Sequence, residues 1–238
     1  NYLSLDSHPN VEVRVFNPCW NRTGALQRGI EMLLRAWSST RRMHNKAWIA
    51  DGRIAIVGGR NIGDAYFDAS EVFNFRDLDV AVIGPAVEQT ASIFDRYWNS
   101  ASVLPIRHLS RIETGDLEGL RRDIAAVAAS AAAVPFLQRV QDEPSVRLIL
   151  DRSGAGFHWC ANVSVITDPP GKAVGADRDS WLYKTIFPAV LGATRSLSII
   201  SPYFIPGRQG VTELTRLARR GVEVTVLTNS LAATDVAA

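Results

Sequence analysis

His44, Lys46 and Asn61 are the residues of this chain whose types and spacing suit chemistry on a phosphate ester. They belong to one stretch, Met43 to Asn61. Read by alternation, His44, Lys46 and Trp48 share one face of a strand. Asp51-Gly52 has the composition of a tight hairpin turn, and Arg53 to Val57 returns as a second, apolar strand. Gly58-Gly59 ends that strand where no side chain intrudes, and Asn61 follows. An imidazole is a nucleophile or proton carrier, an ammonium is a fixed positive charge, and a carboxamide is a neutral donor. Together they suit a transition state that piles negative charge on phosphate oxygens. Asp51 lies in the turn and, by alternation, on the opposite face from His44. That position points to a structural part in the hairpin.

The spacing H-x-K-x(4)-D followed by G-G-x-N resembles the signature of the phospholipase D superfamily. The longer run MHNKAWIADGRIAIVGGRNIGDAYF is similar to its bacterial cardiolipin synthase branch, and within it to the type C subfamily. FRDLDVAVIGPAV, ISPYFIPG and GVEVTVLTNSLAATD extend the resemblance over most of the chain. The resemblance implies an α/β fold, the phospholipase D-like αβα sandwich with a mixed sheet. It implies two pseudo-repeated halves, each giving one histidine motif to a shared site; this chain carries one such motif.

The same resemblance implies roles. His44, Lys46 and Asp51 form the catalytic motif, with His44 the nucleophile that forms a phosphohistidine. A second family histidine protonates the departing alcohol and then activates the acceptor. Lys46 binds a non-bridging phosphate oxygen, and Asn61 donates a further hydrogen bond to the phosphate. The other nitrogen of His44 needs an acceptor. Asp77 is the expected one, its alternative being a surface carboxylate paired to Arg76 or Arg53. The scheme needs no cofactor and no metal, and the sequence offers no carboxylate cluster for one. Tyr203 and Phe204 follow a buried strand where α/β sheets place ligand-binding loops. They are candidates for contact with a lipid glycerol or acyl chain, or else core aromatics. His8, His108 and His158 read as structural or exposed.

The activity so implied is phosphatidyl transfer of the cardiolipin synthase type, through the phosphohistidine to phosphatidylglycerol. Its partners are phosphatidylglycerol and a second phospholipid, met by peripheral contact at the cytoplasmic face of the bacterial inner membrane. One alternative is hydrolysis, by a phospholipase D or a nuclease. A nuclease needs a basic groove with stacking aromatics. The pairs Arg41-Arg42, Arg121-Arg122 and Arg219-Arg220 are spread like solvated faces, so nucleic acid is not an expected partner. A further alternative is an inactive piece that needs a missing second half or a homodimer partner.

Composition agrees with a globular core: 238 residues, 47% of them hydrophobic, and a formal charge of +2. That charge is too small to argue for nucleic acid. Cys19 and Cys160 have neither metal-ligand spacing nor the density of a disulfide scaffold. No apolar run reaches the length of a bilayer span; Ile124 to Leu137 is short, alanine-rich and broken by Pro135. No signal peptide pattern opens the chain, and it lacks an initiator Met.

The elements that must position the motif follow from periodicity. Strands are expected at Val11–Phe16, Leu78–Ile83, Arg147–Leu150, Val163–Thr167, Leu197–Ser201 and Val222–Leu227. Helices are expected at Ala25–Ser38, Val87–Trp98, Leu117–Ala133, Trp181–Leu191 (with Pro188 inside) and Val211–Arg219. NVEVRVFNPC at 10–19 resembles GVEVTVLTNS at 221–230, an internal echo. Residues 1–104 then read as the later part of one half, 105–161 as a connecting region, and 162–238 as the earlier part of the next. His44 lies about 33 residues after Val11, and the same interval from Val222 reaches about position 255, past Ala238. A second histidine motif is expected there, in a longer protein.

Overall fold

Asp51 and Gly52 both take positive φ, 52° and 63°, and the Arg53 amide donates to the Ala50 carbonyl at 2.9 Å. This is the type I′ geometry whose twist matches paired strands. It closes the hairpin of β2 (Lys46–Ala50) and β3 (Ile54–Gly58) in the computed structural model, which describes residues 1–18, 42–109, 115–144 and 157–230. β4 (Asp79–Ile83) adds antiparallel to β3, giving the order β2-β3-β4. The register sets Lys46, Gly58 and Asp79 in one cross-strand row and Trp48, Ile56 and Ala81 in the next.

Gly84 at φ 69° turns the chain, and Pro85 opens α2 (Pro85–Trp98) at the helix position where its missing N–H costs nothing. This helix packs on all three strands of the sheet. Ala55 is 1% exposed, and Ala86, Val87 and Thr90 of the helix are buried with it. Trp48 and Ile56, on the opposite face, are 59% and 38% exposed. One face of the sheet is therefore core, and among the described residues the other is open.

β1 (Arg14–Phe16) pairs antiparallel with β5 (Val103–Pro105) beside the end of α2. The Arg14 guanidinium lies 4.3 Å from the Trp98 ring centroid and donates to the Trp98 carbonyl. Phe16 and Tyr97 meet at 5.4 Å. α1 (Tyr2–Asp6) ends in Asp6, whose carboxylate accepts from the Val13 amide at 2.7 Å.

Two expected elements differ. Leu117–Ala133 is not one helix: α3 (Leu117–Ala128) and α4 (Ala133–Asp142) meet at 78°. Ser130 accounts for the break, since its Oγ accepts from the Ala133 amide at 3.2 Å. Such local side-chain bonding competes with helix continuation. Val163–Thr167 forms no strand. Its backbone bonds instead to one side chain of α2: Gln89 Oε1 accepts from Val165 N at 2.8 Å, and Gln89 Nε2 donates to Val163 O at 3.3 Å. The expected helix Ala25–Ser38 and strand Arg147–Leu150 lie outside the described residues, as does the tail from 231 to 238.

Residues 1–176 form one compact unit and 177–238 a second. In the second, the expected helix forms as α5 (Leu182–Leu191), and Pro188 does not interrupt it. β6 (Ser196–Ile200) and β7 (Glu223–Leu227) pair in parallel, joined by α6 (Gly207–Arg219). Parallel neighbours require such a crossover. Gly210, Leu217 and Val222 are buried among its described residues. The chain is thus α/β, with its described strands in three small sheets, two antiparallel and one parallel.

Candidate active site

His44 lies exposed, two residues before β2, and Lys46 is the first residue of that strand. Lys46 Nζ donates to the His44 carbonyl at 2.7 Å and stands 3.1 Å from His44 Nδ1. Burial pushes the Lys46 pKa below the ordinary lysine range, and the nearby Asp77 carboxylate partly opposes that shift. The open sheet face carries a cleft of about 260 Å³ lined by Lys46, Trp48, Ile56, Arg60, Phe67 and Asp79, among others. One end is cationic and the floor is apolar.

Gly58 is required by the backbone of β4 and a carboxylate, and Gly59 by a second carboxylate. A side chain at Gly58 would collide with Asp79 Oδ1, and one at Gly59 with Asp77 Oδ1. The Asp77 carboxylate also accepts from the Leu78 amide at 2.9 Å. Among the described residues, no hydrogen bond joins Asp77 to His44; Asp77 acts on Lys46 through its charge. Asp51 sits exposed in the turn, at the far end of β2 from His44. Asn61 donates to the Tyr66 hydroxyl at 2.8 Å, and Tyr66 in turn packs 4.8 Å from Phe75.

Asn45, between His44 and Lys46, donates to Thr167 Oγ1 at 2.8 Å. Tyr97, at the end of α2, donates to the Asp168 carbonyl at 2.9 Å. These bonds and Gln89 fasten the segment 163–168 beside the motif. Tyr203 and Phe204 follow β6 in the second unit, with Tyr203 half exposed.

Comparison with known proteins places the chain. It is 40% identical over 234 residues to cardiolipin synthase C of Escherichia coli K12, an alignment covering 98% of this chain and 48% of that protein. Over nearly its whole length the chain is similar to a bacterial cardiolipin synthase. A protein of Helicobacter pylori 26695, described as uncharacterized, is 33% identical over 241 residues, 98% of this chain and 46% of its own length. The cardiolipin synthase of Halalkalibacterium halodurans is 28% identical over 187 residues, 78% of this chain and 29% of that enzyme. The chain thus spans about half the length of the first two of these relatives. No family model and no solved structure matches it.

Sequence reasoning brought His44, Lys46, Asn61 and Asp77 forward, and all four lie in the first unit. It passed over Arg60, Asp79, Asn45 and Thr167. Asp79 was signalled by its alternation with Asp77, two residues away on a strand, opposite a Gly-Gly pair. Nothing in the sequence links Asn45 to Thr167.

Proposed function

We propose that the protein of which this chain is part is a phosphatidyltransferase that makes cardiolipin from phosphatidylglycerol and a second phospholipid. The observation that carries this reading is the 40% identity, over 98% of the chain, to an enzyme named cardiolipin synthase C. Relatives named as synthases favour transfer over hydrolysis of phospholipid or nucleic acid.

In the proposed reaction, His44 Nε2 attacks phosphorus, the N–P bond forms, and the phosphoester O–P bond breaks. The departing alcohol takes its proton from a second histidine. We place that residue outside these 238 residues, in a second half or a second copy, so the isolated chain is inactive. The phosphatidylglycerol hydroxyl then attacks the phosphohistidine, loses its proton to the second histidine, and frees His44. Lys46 and Asn61 hold the non-bridging oxygens, and Asp77 orients His44 once Lys46 has turned to the phosphate. Asp51 keeps the hairpin closed, while Tyr203 and Phe204 meet the lipid.

The lipid is met by peripheral contact at the cytoplasmic face of the inner membrane. Among the described residues, no single helix is long and apolar enough to cross a bilayer; the bent pair α3 and α4 together meet that length and composition. The test is the full-length protein with labelled phosphatidylglycerol in vesicles. Labelled cardiolipin and an acid-labile phosphatidyl adduct on His44 are expected. Consumption without cardiolipin, whatever the second phospholipid, overturns the reading.

A further inference from the structure

Asp79 stands in the same cross-strand row as Lys46, with only Gly58 between them. Row neighbours are about 5 Å apart at Cα, so the two charged residues face one cleft about 10 Å apart. An unpartnered carboxylate there would draw the Lys46 ammonium and repel an incoming phosphate. It is instead held by Arg60, whose Nε donates to Asp79 Oδ2 at 2.6 Å with both side chains mostly shielded.

Arg60 is itself tied down on three further sides. It donates through Nη1 to the Tyr66 carbonyl and through Nη2 to the Asp77 carbonyl at 3.5 Å, and its guanidinium lies 5.5 Å from the Phe67 ring centroid. The planar fork satisfies these acceptors together, which a lysine cannot do.

We propose that Arg60 is a positioning residue that neutralises Asp79 and so keeps Lys46 available for the anionic phosphate of the substrate. This deepens the phosphatidyl-transfer reading and rests on it for the identity of the phosphate. The titratable and charged groups facing Lys46 are then the His44 ring, Asp77 and, across Gly58, the Arg60–Asp79 pair. Removing Arg60 leaves Asp79 to compete with the substrate for Lys46. Removing both leaves the row neutral.

The variants R60Q, D79N and R60Q/D79N test this through two readouts. The chain has three lysines, so trace acylation at fixed alkaline pH, read by peptide mass spectrometry, reports Lys46 against Lys172 and Lys184. R60Q is expected to slow Lys46 acylation about tenfold, as the freed carboxylate stabilises its ammonium, and the double variant to restore the rate. In the full-length protein, R60Q is expected to raise KM for phosphatidylglycerol about tenfold, and the double variant to recover most of it. Equal impairment of R60Q and the double variant, in a fold intact by circular dichroism, overturns the proposal: Arg60 then serves only to anchor the Tyr66 loop. Unchanged Lys46 acylation in R60Q overturns it too. The acylation readout needs no turnover, so an inactive wild type refutes the proposed function and leaves this test standing.

Discussion

Lys46 Nζ stands 3.1 Å from His44 Nδ1 while donating to the carbonyl of the same histidine at 2.7 Å. A charged ammonium has no acceptor, so the Nδ1 it meets is unprotonated and the ring proton sits on Nε2. That is the tautomer least suited to attack through Nε2. A phosphate that draws Lys46 to its own oxygens frees Nδ1 to take the proton and face a carboxylate. In the proposed reaction, substrate binding and activation of His44 are then one event. K46M is expected to lower kcat of the full-length enzyme by about a hundredfold to a thousandfold, as for removal of a transition-state charge. K46R, which keeps the charge but not the compact ammonium, is expected to recover only part. A change confined to KM would contradict the coupling.

The lowered pKa of Lys46 fixes the sign of two pH effects. Its folded value lies below its unfolded value, so the unfolded chain binds more protons between the two. The contribution to stability is full above the ordinary lysine pKa and is lost as pH falls through the lowered one. In the proposed reaction activity runs the other way, since it uses the ammonium, which disappears as pH rises. Asp77 opposes the shift, so D77N is expected to move the alkaline limb of kcat/KM to lower pH than in the wild type. A limb that stays in place or moves up in the pH–rate profile counts against the Asp77–Lys46 interaction.

Gly58 to Ala tests the packing of the sheet row. The new methyl meets the Asp79 carboxylate, and a destabilisation of about 1–3 kcal/mol is expected from chemical denaturation. Gly52 to Ala in the turn meets nothing within 4 Å and strains only its positive φ, so about 1 kcal/mol is expected there. Equal costs at the two sites would remove the steric argument.

Tyr97 to Phe removes the bond to the Asp168 carbonyl and leaves the ring against Phe16. A loss of about 1 kcal/mol is expected in denaturant melts. Hydrogen exchange adds a local readout, with protection falling at Val165, whose amide depends on the same segment. Unchanged protection there would show that Gln89 suffices alone.

The motif hairpin was legible because three signals agree on it: alternation, an Asp-Gly turn and a closing Gly-Gly. α2 was legible for the same kind of reason, with Gly84-Pro85 marking its start. The break at Ser130 was not, because the proline of that alanine-rich run, Pro135, lies five residues further on and a serine cap looks like any other serine. Val163–Thr167 alternates like a strand, yet its polar backbone is met by the Gln89 side chain, which period alone does not register. At the site, the closeness of His44 and Lys46 could be read from spacing. The pairing of Arg60 with Asp79 could not, since it depends on β4 settling beside β3 in one register.

That register also sets how such a sequence can change over generations. Any side chain at 58 meets the Leu78 carbonyl oxygen and the Asp79 Cα at 2.7 and 2.8 Å, backbone atoms that no replacement at 79 removes. Position 58 is therefore expected to stay glycine even in lineages that have lost the acid. Gly59, whose nearest contacts all lie on the Asp77 side chain, is the glycine of the pair expected to drift once position 77 is small.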